Sequence, residues 1–273
     1  MLRGIARHRL VAGTVVIAAA ALPVVAIAAP ATAQSAVHYV ALGDSYASGV
    51  GAGDYYSASG SCDQSANAYS ALWAAANDPA SYVSEACSGA TTGDVIGSQL
   101  SALSSSTTLV SVTAGGNDVG FSSVMEKCVL LPTSFCVSAV DSAEAEAEAD
   151  LPGDLNTMLS DIAADAPNAM VVVVGYPEFY DLANSSGCIG LSTTDRTDLN
   201  QGAAVLDSLL QAAAQQHGDV FADVRPAFAG HQICDSDSYM NSVDWTDLGD
   251  SYHPNTAGQA DAYEPTFSAA AAG

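Results

Sequence analysis

The chain carries a small set of residues that can do nucleophilic chemistry. Serine is a poor nucleophile until a base takes its proton, so a working serine needs an exposed turn, a histidine and donors for the developing oxyanion. Ser45 meets the first requirement: the apolar run 37–42 breaks off at Gly43-Asp44-Ser45, and a glycine there permits a tight turn. Gly-Asp-Ser is also ordinary turn chemistry, so this stretch alone decides nothing.

Four histidines follow residue 33: His38, His217, His231 and His253. His38 begins a strand. His217 ends a helix, where a cation meets the dipole. His231 sits in a cysteine-containing loop. His253 lies in "DLGDSYHPNTAG", just before a helix opened by Pro254, which is a good place to hold a base. Asp250, three residues earlier, could accept from the ring's other nitrogen, or could merely cap a turn. The Ser251 carbonyl could orient the ring instead.

Oxyanion donors have two candidates. In "SVTAGGNDVGF" the Asn117 amide follows a strand and two glycines; in "ACSGATTGD" the Gly89 N–H is available. The ordinary alternatives are an Asn/Asp cap and a turn glycine.

These pieces need a scaffold. Stretches 37–42, 109–113, 169–174 and 219–224 read as strands, 169–174 ("AMVVVV") most clearly, and 81–85 could form a short strand. Helical patterns lie at 67–77, 91–103, 141–164, 195–217 and 254–266, with 141–164 interrupted at Pro152-Gly153. Strands alternating with helices predict a parallel sheet covered on both faces. Ligands in such sheets bind beyond the carboxyl ends of the strands. That rule selects 43–49, 87–93, 115–118 and 176–180.

Composition sets the context. Residues 1–33 combine Arg3, Arg7 and Arg9, an apolar middle and Ala31-Thr32-Ala33, the pattern of a secretory signal peptide. An uncleaved membrane anchor is the alternative. Residues 34–273 read as a single domain. The formal net charge of −24 excludes nucleic acid as a natural partner, because phosphate binding needs a basic surface. It also disfavours anionic membranes. Cys62, Cys87, Cys128, Cys136, Cys188 and Cys234 behind a leader suggest three disulfides. Fifteen pairings are possible and sequence alone does not choose. The working expectation is sequential pairing, each bond contributing ~2–4 kcal/mol.

Other groups carry less. His231, Asp235 and Asp237 do not fit a calcium loop, and no metal is expected. "EAEAEAD" (Glu144, Glu146, Glu148, Asp150) reads as a solvated helix face. Trp73 reads as core. Tyr176, Phe179 and Tyr180 either line an acyl groove or close a loop.

Taken in order, "GDSYASG", "SGATTGD", "AGGNDVGF" and "DSYHPNTAG" resemble the four blocks of the SGNH, or GDSL-type, hydrolases, and most of all their secreted, three-disulfide actinobacterial lipases and esterases. The resemblance covers essentially all of 34–273. It departs at Tyr46, where the family name has leucine, and the G-x-S-x-G elbow of α/β-hydrolases is absent. It implies a flavodoxin-like three-layer α/β/α sandwich with a central parallel sheet of about five strands. It implies Ser45 as nucleophile, His253 as base, Asp250 as the least certain triad member, and an oxyanion hole from the Ser45 N–H, the Gly89 N–H and the Asn117 side chain. The implied function is a secreted lipase or esterase acting on small-molecule or lipid esters, monomeric, without cofactor and without stable membrane insertion. A phospholipase, a carbohydrate-ester deacetylase and a non-catalytic surface-binding protein are the alternatives.

Overall fold

The computed structural model describes residues 36–183 and 188–273, with Met1 and Gly13. The chain divides into Met1–Ser35 and Ala36–Gly273. The expected signal peptide over 1–33 falls, those two residues aside, outside the described residues. Among the described residues no helix is long and apolar enough to cross a membrane.

Five strands build one sheet: β1 (His38–Gly43), β2 (Ser81–Ser84), β3 (Leu109–Thr113), β4 (Met170–Val174) and β5 (Val220–Ala222). Their order is β2-β1-β3-β4-β5, and every pairing is parallel. β3 is buried at all five positions, as a strand covered on both faces must be. The helices are α1 (Ser45–Ser48), α2 (Tyr69–Asn77), α3 (Thr92–Asp94, continued by Val95–Gln99 and Leu100–Ala102), α4 (Phe121–Leu130), α5 (Thr133–Asp165), α6 (Thr193–His217), α7 (Arg225–Phe228) and α8 (Glu264–Ala271). α2 and α8 pack together on one face; α3, α5 and α6 pack together on the other. This is the expected flavodoxin-like sandwich. On the α2/α8 side Tyr39, Trp73 and Phe267 form an aromatic cluster with ring centroids 5.2–5.7 Å apart.

Strand order decides where a ligand goes. β1 and β3 are neighbours from which the chain departs in opposite directions, so a crevice opens beyond their carboxyl ends. The two turns that meet there are 43–45 and 114–117.

The long helices differ from expectation. α5 runs 33 residues without interruption, through Pro152. Pro152 denies a hydrogen bond to the carbonyl of Glu148, but both residues are exposed, so water takes that carbonyl and no break is forced. The helix also starts eight residues before the predicted 141, over a stretch of poor helix formers. There the Cys128–Cys136 disulfide ties its first turns to the end of α4. At 1.5 Å per residue, α5 extends about 50 Å and the 25-residue α6 about 37 Å, against about 17 Å for a five-residue strand. Both helices therefore overshoot the sheet and wall in a space beyond it.

Candidate active site

Ser45 is delivered by the end of β1. Gly43 adopts φ +125°, and a Cβ there would lie 2.2 Å from the Thr113 carbonyl oxygen of neighbouring β3, so only glycine fits. Buried Gln99 clamps the Gly43 peptide from both sides: its Oε1 accepts the Gly43 N–H at 2.7 Å and its Nε2 donates to the Gly43 carbonyl at 2.9 Å. Asp44 N–H donates to Thr113 O at 2.8 Å, and the Asp44 Oδ1 caps α1 by accepting from Tyr46 N–H at 2.9 Å. Ser45 is the first residue of α1, so its N–H has no intrahelical acceptor.

His253 arrives from the far end of the chain. Its Nε2 lies 2.7 Å from Ser45 Oγ, 208 residues away in sequence. Its Nδ1 lies 3.1 Å from the Ser251 carbonyl oxygen. A carbonyl can only accept, so Nδ1 carries the proton and Nε2 presents its lone pair to the serine hydroxyl. Burial lowers the imidazole from its usual 6.5 to about 4, while the carbonyls of Ser251 and Gly249 pull it up. The ring is thus the neutral form that a base requires.

The loop that aims this ring is strained. Tyr252 has φ +62°, a left-handed conformation rare for a bulky residue. Three contacts hold it there: Tyr252 N–H to Asn241 O at 3.1 Å, the Tyr46 hydroxyl to Tyr252 O at 2.7 Å, and Tyr252 OH with Tyr180 OH at 3.0 Å. Gly51 passes so close that a Cβ would lie 2.9 Å from the His253 Cβ.

Asp250 does not face the ring. Its Oδ1 accepts from the Tyr55 hydroxyl at 2.8 Å, and that hydroxyl accepts the Gly51 N–H at 2.8 Å. The triad geometry expected of Asp250 is therefore corrected: the one-turn 3-10 helix Leu248–Asp250 turns the carboxylate toward Tyr55, and the Ser251 carbonyl occupies the place beside Nδ1.

Two segments that carry donor candidates are joined. Asn117 Nδ2 donates to Ala90 O at 3.0 Å, joining the turn after β3 to the segment that carries Gly89. An amide nitrogen has two hydrogens, so one remains for an oxyanion. Asp118 fastens the same two segments by accepting from the Thr92 hydroxyl at 2.6 Å. Cys62–Cys87 anchors the Gly89 turn, and Cys188–Cys234 ties two loops on the same side of the sheet.

Beside Ser45 and Asn117 a cavity opens between α4, α5 and α6, where the long helices overshoot the sheet. Its walls are apolar: Phe121 stacked on Phe179 at 5.8 Å, then Val140, Ala147, Leu199 and Leu206. Tyr176 and Phe179 line it, while Tyr180 packs against Tyr252. The exception is Glu144. Glu146, Glu148 and Asp150 are exposed, as a solvated face requires, but Glu144 turns one carboxyl oxygen into the wall, buried and without a hydrogen-bond partner. Burial, then the charges of Asp141, Asp198 and Glu148, raise its pKa. Sequence patterning missed this because Glu144 sits at the boundary between the buried and solvated faces of α5. Trp73 lies in the core. His231 stacks on Tyr239 at 3.9 Å, and among the described residues no group of three His, Cys, Asp or Glu could hold a metal ion.

The chain matches the GDSL-like Lipase/Acylhydrolase family over residues 41–260. It is 48% identical over 268 residues to "Lipase 1" of Streptomyces coelicolor, covering 97% of this chain and 99% of that one. It is 44% identical over 235 residues to a lipase of Streptomyces rimosus, covering 86% and 87%. Among solved structures, a phospholipase A1 from Streptomyces albidoflavus NA297 superposes with TM-score 0.84 at 50% identity, over 86% of this chain and all of that one. An extracellular lipase from Streptomyces rimosus does so with TM-score 0.83 at 44% identity and the same coverage. A match spanning most of the chain, on a fold and a serine–histidine pair of the required geometry, means that the chain belongs to the GDSL-like lipase/acylhydrolase family of ester hydrolases.

Proposed function

We propose that the protein is a secreted lipase or esterase that cleaves acyl esters through a Ser45–His253 dyad. The observation that carries this reading is the 2.7 Å contact between Ser45 Oγ and His253 Nε2, with Ser45 lining an apolar cavity. His253 takes the Ser45 proton as Oγ attacks the acyl carbonyl. The Ser45 N–H, the Gly89 N–H and the Asn117 amide hold the oxyanion. Collapse of the intermediate expels the alcohol, which leaves with the proton from His253. Water, deprotonated by the same imidazole, then releases the acid. The Ser251 carbonyl fixes the ring tautomer and accepts from the imidazolium that forms, the task an aspartate performs in a triad.

The apolar lining of the cavity suits an acyl chain better than a sugar, which favours lipid esters over carbohydrate acetates. Similarity to a phospholipase A1 supports a second reading, in which the ester belongs to a glycerophospholipid. Export through the 1–33 leader agrees with three disulfides and with the likeness to an extracellular lipase. Purified protein should hydrolyse p-nitrophenyl acyl esters, and a triacylglycerol or phosphatidylcholine beside them. Asn117→Ala should lower kcat about a hundred- to a thousandfold. Loss of less than a few-fold, with folding intact, would remove Asn117 from the mechanism.

A further inference from the structure

We propose that Tyr176 is a positioning residue: its hydroxyl fixes the spacing between the two turns that supply Ser45 and Asn117. This rests on the hydrolase reading above and assigns a role to a residue that touches neither the nucleophile nor the base.

Tyr176 follows β4, and its own N–H is held by Asp207 Oδ1 at 2.8 Å. The ring is buried and packs edge-on against Tyr46, with centroids 5.0 Å apart. Its hydroxyl accepts the Gly116 N–H at 3.2 Å and donates to Asp44 Oδ2 at 2.5 Å. With Asp44 ionised the directions are fixed by chemistry: a carboxylate and an N–H leave a phenol only one way to satisfy both. Asp44 spends its other oxygen on the Tyr46 N–H, in the first turn of the helix that Ser45 opens. Gly116 immediately precedes Asn117. A single oxygen therefore bridges the turn after β1 to the turn after β3, and each turn carries one of the oxyanion donors.

The ring could do its packing as phenylalanine. Only the hydroxyl makes the bridge, and without it Gly116 keeps a buried N–H with no acceptor while Asp44 loses its strongest donor. Donors of an oxyanion hole must be placed before the reaction to a few tenths of an ångström. A phenylalanine ring would still line the apolar cavity, so loss of the hydroxyl acts on the transition state and not on substrate binding.

The test is kinetic. Tyr176→Phe should lower kcat about ten- to a hundredfold, with KM within about twofold of wild type. Because the hydroxyl acts through the donors, the same substitution in an Asn117→Ala background should cost less than about threefold. Tyr39→Phe removes a buried tyrosine hydrogen bond of the same kind, to Ser111 Oγ at 2.7 Å, away from both turns, and should leave kcat unchanged. If Tyr176→Phe does not fold, Asp44→Asn leaves a single oxygen for two donors, the Tyr46 N–H and the Tyr176 hydroxyl, and should reproduce the kcat loss. Full kcat in the folded variant, or losses that simply multiply in the double variant, would overturn the assignment. Retention of activity by both Ser45→Ala and Asn117→Ala would instead strike at the hydrolase reading itself.

Discussion

The Nδ1 of His253 lies 3.1 Å from the carbonyl oxygen of Ser251, two residues back on the same loop, while the nearby Asp250 carboxylate engages Tyr55. The imidazole is thus oriented by a peptide group held in place by the backbone. A neutral carbonyl stabilises an imidazolium less than a carboxylate does, but it adds no buried charge.

Asp250→Asn is expected to keep kcat within about threefold of wild type. A carboxylate holding the ring in a true triad is worth about ten-thousandfold. Asparagine retains an oxygen for the Tyr55 hydroxyl, so the link to Gly51 survives. Steady-state hydrolysis of a soluble ester measures this directly.

The pH profile follows from the burial of His253. With its pKa lowered to about 4, the imidazole is neutral from about pH 5 upward, and the acid limb of kcat/KM should fall near pH 4 to 5. An exposed histidine would put that limb near 6.5. Because the folded pKa lies below the unfolded one, the neutral ring contributes stability above about 6.5 that is lost as pH falls through about 4. A limb at pH 6 to 7 would contradict this placement.

Asp207 behaves in the opposite sense. It is fully buried, and burial raises its carboxyl to about 7 although Arg225 pulls it down. The Arg225 Nε lies 3.2 Å from Oδ2 but is not aligned as a hydrogen bond, so compensation is partial. A raised carboxyl contributes stability fully present below about 3.8 and lost as pH rises through about 7. Wild-type Tm should therefore fall relative to Asp207→Asn between pH 5 and pH 8. Asparagine can still accept the Tyr176 N–H.

Acyl-chain selection should respond to Gly202. A Cβ at this cavity-lining position of α6 would lie 3.4 Å from the Cγ1 of Val140, which lines the same cavity. Gly202→Leu should lower kcat/KM for palmitoyl esters about tenfold or more and spare acetyl and butyryl esters. Equal losses across the series would place the acyl chain elsewhere.

What the sequence made legible follows from where each signal resides. Ser45, Asn117 and His253 each stand at a break between a strand or loop and a helix, and glycine or proline marks each break. β4 announced itself most clearly, as an unbroken apolar run; β2, a half-exposed edge strand of sequence SYVS, carried the weakest signal. Asp250 misled because orientation depends on the left-handed Tyr252 and a single 3-10 turn, which three residues of spacing do not encode. Pro152 misled because the carbonyl it leaves without a partner, on exposed Glu148, can reach water, and the helix continues through it. Tyr176 was invisible as a bridge: its partners Asp44 and Gly116 lie 132 and 60 residues away. The cavity arises from helix overshoot, a property of lengths across three layers.

Reaction with a fluorophosphonate tests the central claim most directly, since it asks whether Ser45 is activated by His253. Intact-mass analysis should show one equivalent bound, on the peptide carrying Gly43-Asp44-Ser45. Labelling should vanish in Ser45→Ala and slow by at least about a thousandfold in His253→Ala. Ester hydrolysis that persists while Ser45 stays unlabelled, or a label on another serine, would contradict the account.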